Sequence, residues 1–65
     1  MRTVKTLKIL RALKKDGWVL VHQVGSHRQF KHPTKKGKVT VNGAESEDVW
    51  GNLLKSIEQQ SGLKF

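Results

Sequence analysis

Trp18-Val19-Leu20-Val21-His22-Gln23-Val24-Gly25-Ser26-His27-Arg28-Gln29-Phe30-Lys31-His32-Pro33 is the stretch that decides the fold. Its first half is rich in apolar and β-branched residues, Gly25-Ser26 offers a tight turn, and Pro33 ends the run that starts at His27, so the spacing predicts a β-hairpin. Working toward the C-terminus, Thr34-Lys35-Lys36-Gly37 makes the next turn, and Lys38-Val39-Thr40-Val41-Asn42 alternates as a third strand. Asn42 to Asp48 reads as a polar, acidic loop. Leu53, Leu54 and Ile57 at helical spacing, with Gly62 as the stop and Leu63 packing back behind it, mark a closing helix.

Toward the N-terminus, Leu7, Leu10 and Leu13 recur at three-residue spacing with Ile9 and Ala12 beside them. They predict a helix capped by Thr3 or Thr6 and stopped at Gly17. Lys5, Lys8, Arg11, Lys14 and Lys15 cover its remaining surface, and the last two suit the negative end of the helix dipole. The order is therefore α-β-β-β-α: an α+β domain spanning residues 1–65, with a three-stranded antiparallel sheet and two helices on one face.

Composition narrows the class of function. A chain of 65 residues buries only about 60% of the surface exposed when unfolded, and this one has no cysteine to staple it and no Cys/His pattern for structural zinc. Val4 to Leu13 is interrupted by Lys5, Lys8 and Arg11, which leaves neither an apolar leader segment nor a membrane span and makes a cytoplasmic location the expectation. Residues 1–38 hold eleven Lys and Arg against the single acid Asp16, whereas residues 39–65 hold two against four, within a formal net charge of +8. A field of one sign on so small a body attracts polyanions, so nucleic acid is the leading partner class.

Strand alternation sorts the side chains of the hairpin. If Phe30 lies under the helices, Arg28 and His32 share its side while His27, Gln29 and Lys31 face the other way. Val39 and Val41 are then buried, and Lys38 and Thr40 turn outward with His27. The strand before the turn cannot be oriented by period, because nearly every residue in it is apolar. His22 and His32 read as packing or capping groups.

His27 is thus one accessible imidazole on a basic platform. An RNA strand is cut without a metal when a group that titrates near neutrality helps the 2′-hydroxyl attack the adjacent phosphate or protonates the departing 5′-oxygen, and histidine fits that task best. Arg28, Lys31, Lys36 and Lys38 are the cations available to steady the phosphate. Ser26 reads as a turn hydroxyl rather than a nucleophile, and it completes the candidate RNA-binding set. Metal chemistry is disfavoured: Asp16 is the only acid before Glu45, and the Glu45, Glu47, Asp48 cluster matches no familiar ion-binding loop, its place ahead of a helix explaining it. No Walker or Rossmann phosphate loop and no Ser/His/Asp arrangement stands out, and no cofactor is expected.

These residues carry a family resemblance. Gly17-Trp18 after a basic helix, Gly25-Ser26-His27 with Phe30-Lys31-His32-Pro33, Val39-Thr40-Val41 and Gly51-Asn52-Leu53-Leu54-Lys55-Ser56-Ile57 together resemble the HicA-type (YcfA-like) toxins. The resemblance implies a double-stranded-RNA-binding-domain-like fold and metal-independent, ribosome-independent cleavage of single-stranded mRNA with His27 as the catalytic histidine. It also implies a HicB-type antitoxin that occludes that histidine, with operator DNA met only through the toxin–antitoxin complex. Where the family has a proline or a threonine near the closing helix, this chain has Trp50 and Asn52; Asn52 is expected to cap the helix, and Trp50 to pack on the core or on the antitoxin. The alternatives are a basic RNA-binding module without catalysis and an adaptor that serves only to bind an antitoxin.

Overall fold

The computed structural model describes residues 2–65. Its elements are β1 (Thr3–Lys5), α1 (Thr6–Asp16), β2 (Val19–Val24), β3 (His27–Lys31), β4 (Val39–Val41), β5 (Asp48–Trp50) and α2 (Gly51–Ser61). The expected antiparallel sheet is present with strand order β2-β3-β4. Both helices are present as well, and Ile9, Leu13, Leu54 and Ile57 from them form one core with Phe30, Val39 and Val41 of the sheet. A small α+β domain results.

Two short strands add to the expected order. β1 and β5 pair antiparallel through Val4↔Val49, both buried, with the flanking residues exposed. Each runs directly into a helix, so this ribbon ties the starts of α1 and α2 together. The acidic loop before β5 does the capping that Thr3 or Thr6 was expected to do. Neither helix start has a side-chain cap. Instead, the N–H groups of Thr6 and Leu7 donate to the carbonyl oxygens of Glu47 and Glu45 at 2.9 and 3.1 Å. Thr6 itself is fully buried, and its hydroxyl also donates to the Glu47 carbonyl at 3.1 Å. The first N–H groups of a helix need acceptors, and backbone carbonyls from a folded-over loop serve as well as a side chain.

The inward stripe of α1 is Thr6, Ile9 and Leu13, while Leu7 and Leu10 sit at its margins. On α2 the buried set is Leu54, Ile57 and Ser61, and Leu53 is left 50% exposed. Both shifts have one cause: a helix turns about 100° per residue, and the neighbour of a core residue points well off the core. Asn52 falls inside α2 rather than at its cap, which is Trp50 in extended conformation. Trp50 is 54% exposed and so lies outside the core. Helix α1 ends at Gly17, whose φ of 103° is open to glycine at little cost. Gly17 N–H donates to Lys14 O and Trp18 N–H to Leu13 O, the paired bonds of a Schellman stop, with Trp18 and Leu13 both buried beside it.

Candidate functional site

His27 is the first residue of β3, paired with Val24 across a two-residue turn. Gly25 has φ of +59° and no described non-glycine residue has positive φ, the sign pattern of a type II′ hairpin turn with glycine at the first central position. A Cβ on Gly25 would meet nothing within 4 Å, so the turn requires glycine for its backbone angle and not for space. The turn is braced from the helix side. Gln23 Nε2 donates to the Gly25 carbonyl at 3.0 Å, and Arg28 Nη1 donates to Gly43 O at 2.9 Å and to Ser26 O at 3.4 Å.

The register fixes which face each residue occupies. Arg28↔Val41 and Phe30↔Val39 are pairs on the core side, and Gln29↔Thr40 is a pair on the opposite, open side. His27, Gln29 and Lys31 therefore share the open face, as alternation predicts, with His27 and Lys31 exposed. Ser26 sits exposed in the turn, and Lys36 and Lys38 are exposed in the loop between β3 and β4. Arg28 is different. It shares the side of Phe30, and its guanidinium is engaged by two backbone carbonyls, so it is not brought together with His27.

The strand that period could not orient is settled by a bulge. Leu20 pairs with Phe30, yet His22 pairs with Gln29, and the register shift between them leaves Val21 as the extra residue. An extra residue reverses the facing of everything after it. Leu20 lies on the helix side, and beyond the bulge Gln23 does too, while His22 and Val24 come to the open face with His27. The whole of β2 is exposed, with Val19, Leu20, Val21 and Val24 between 45% and 64% accessible. His22 is thus not the packed histidine expected of an apolar strand.

His32 does pack. Its side chain is 9% exposed, its ring meets Trp18 edge-on with centroids 5.1 Å apart, and Nε2 lies 2.7 Å from the Asp16 carbonyl oxygen. That contact pulls the chain out of the sheet after Lys31. A groove of about 500 Å³ opens between α1 and the β2–β3 hairpin, lined by Leu10, Lys14, Trp18, Leu20, Gln23 and Phe30 among others. It lies on the helix side, away from His27.

Of the acidic cluster, Glu45 and Glu47 present their backbone carbonyls to α1, and the Asp48 carboxylate pairs with Lys5 at 2.9 Å. Among the described residues no three His, Asp or Glu side chains gather in a way that could hold a metal ion. No described helix is long and apolar enough to cross a membrane.

Fold and surface together define a small basic α+β domain that presents a histidine at the mouth of a hairpin. The family described as the HicA toxin of bacterial toxin–antitoxin matches residues 8–63, and the chain belongs to that family. It is accordingly a toxin of a toxin–antitoxin system, with an antitoxin as its partner. No curated protein matches it.

Proposed function

We propose that this toxin is an endoribonuclease that cleaves single-stranded mRNA, with His27 transferring a proton at the scissile phosphate. The observation that carries this function is the setting of His27: exposed, at the end of a turn braced from behind, and free of hydrogen bonds to the rest of the described chain. A side chain held in place by its backbone and left open to solvent is available to substrate. Ser26, Lys36 and Lys38 contribute contacts to the RNA backbone. Lys31 lies four residues along β3, about 13 Å away at the usual rise per residue, and suits a neighbouring phosphate. Arg28 supports the turn, so any effect on the phosphate is indirect.

A HicB-type antitoxin neutralises the toxin by covering the open face. The exposed apolar Val24 lies directly across the ladder from His27 there, and burying it gives a protein partner an energetic gain of roughly 25 cal/mol per Å². Operator DNA is met only in that complex. The substrate supplies its own nucleophile in the 2′-hydroxyl and His27 supplies the proton transfer, so the reaction as proposed runs without a metal.

Incubation of purified protein with a defined RNA in EDTA tests this function. Wild type is expected to cleave, and His27→Ala is expected to lose activity while its stability stays within about 0.5 kcal/mol, as befits an exposed site. A folded His27→Ala protein that still cuts would remove His27 from the mechanism.

A further inference from the structure

We propose that His22 is the second proton-transfer group of the same reaction, carried onto the face of His27 by the bulge at Val21. The proposal rests on the RNA-cleavage function above. His22 pairs with Gln29 and His27 pairs with Val24, so the two imidazoles are diagonal neighbours across the β2–β3 hairpin. Diagonal positions of an antiparallel pair lie about 7–8 Å apart at Cα.

Two ladder pairs fix that placement. The register steps from Leu20↔Phe30 to His22↔Gln29, and Gln29 belongs to the open face through its pair with Thr40. The neighbour of His22, Gln23, pairs with Arg28, which belongs to the helix side through its pair with the buried Val41, and this leaves His22 facing the other way. Without the extra residue, His22 would follow Leu20 toward the helices. Bulges re-aim side chains at the cost of ladder hydrogen bonds. His22 has no structural use that would explain the expense: it is exposed in an otherwise apolar stretch and makes no hydrogen bond or ion pair among the described residues.

An in-line displacement at phosphorus needs a proton removed on one side and a proton delivered on the other. One imidazole nitrogen takes the proton of the 2′-hydroxyl, whose electron pair forms the new bond from O2′ to phosphorus. The bond from phosphorus to O5′ breaks, its pair stays on O5′, and the other imidazolium supplies the proton. The products are a 2′,3′-cyclic phosphate and a 5′-hydroxyl, with no water, metal or oxidant consumed. Two imidazoles separated as these are leave room for one phosphate with a hydrogen bond of about 2.8 Å on each side. A single histidine would have to leave one of the two proton transfers to solvent.

The test compares two substrates: a defined RNA, and a nucleoside 3′-(4-nitrophenyl phosphate), whose leaving group departs as an anion without needing a proton. His22→Ala and His22→Gln are each expected to slow RNA cleavage by about 10²- to 10⁴-fold, as is His27→Ala, with unchanged thermal melts. On the aryl ester, variants of one histidine, the acid, regain most of the wild-type rate, while variants of the other stay slow. Wild-type RNA cleavage by His22→Ala beside an inactive His27→Ala would overturn the pair and leave the function of His27 standing. Equal losses on both substrates for both histidines would also overturn it. Full activity in both variants would instead remove both histidines from the mechanism, and absence of cleavage by the wild type would remove the nuclease function that the pair depends on.

Discussion

His32 and Asp16 are joined through the backbone: the imidazole Nε2 lies 2.7 Å from the Asp16 carbonyl oxygen. The other ring nitrogen, Nδ1, is 3.1 and 3.2 Å from the backbone nitrogens of Thr34 and Lys35, which can only donate. Nδ1 is therefore an acceptor, the ring proton sits on Nε2, and Nε2 donates to Asp16. One side chain thus closes the end of α1, the end of β3 and the start of the loop carrying Lys36. This arrangement accounts for the spacing of Gly17, His32 and Pro33 around a buried Trp18.

The same contact dictates what Gly17 can be. A Cβ there would lie 2.9 Å from His32 Nε2, and φ of 103° is strained for any side chain. Gly17→Ala should cost more than about 1 kcal/mol, and His32→Ala about 1–3 kcal/mol through the bare Asp16 carbonyl and the uncovered Trp18 edge. In a double-mutant cycle followed by urea denaturation, the two losses should sum to more than the double variant shows. Removing the ring relieves the clash, while the backbone strain remains. Strict additivity would mean that the ring yields at no cost.

Acid should weaken the fold through two carboxyls. The Lys35 ammonium, hydrogen-bonded to Asp16 at 2.6 Å, holds the Asp16 carboxyl below its usual range. At Glu58 the Phe65 N–H, and after it the Arg2 guanidinium, do the same. Both groups then bind protons more weakly in the folded state than in the unfolded chain. Their contribution is present above the ordinary carboxylate pKa, about 4, and disappears as pH falls through the lower folded values. Lys35→Met should therefore flatten the acid limb of a stability–pH curve and Arg2→Met should flatten it separately, both read from urea midpoints. An unchanged slope in Lys35→Met would show that Asp16 is held down by something else.

The sequence makes the hairpin legible because Gly25-Ser26 is a strong local signal and Phe30 sets the parity of everything that follows it. The facing of His27, Lys31, Val39 and Val41 comes from that parity alone. β1 and β5 are not legible: three residues with one inward valine have no measurable period, and Val4 meets Val49 only once the chain has folded around. The capping of α1 escapes for the same reason, since the acceptors are carbonyls of Glu45 and Glu47, and a carbonyl belongs to every residue type. Within β2 the sequence is silent on the bulge, because Val19, Leu20 and Val21 suit either face. His22 could be placed only by counting ladder partners.

Binding of RNA should separate the cations by face. On a single strand, each phosphate contact contributes about −0.7 to the slope of log Kobs against log salt. With His27→Ala as the background, so that the RNA stays intact, Lys31→Ala, Lys36→Ala and Lys38→Ala should each make the slope shallower by about that amount. Each of these lysines is exposed, so their stability should hardly move. Arg28→Ala should do the reverse. Its guanidinium is engaged by Gly43 O at 2.9 Å behind the turn, so its loss should cost about 1 kcal/mol of stability and leave the salt slope nearly unchanged. A slope change in Arg28→Ala equal to that in Lys31→Ala would mean that RNA reaches both faces of the hairpin, and the helix-side groove beside Leu20 would then have to be part of its path.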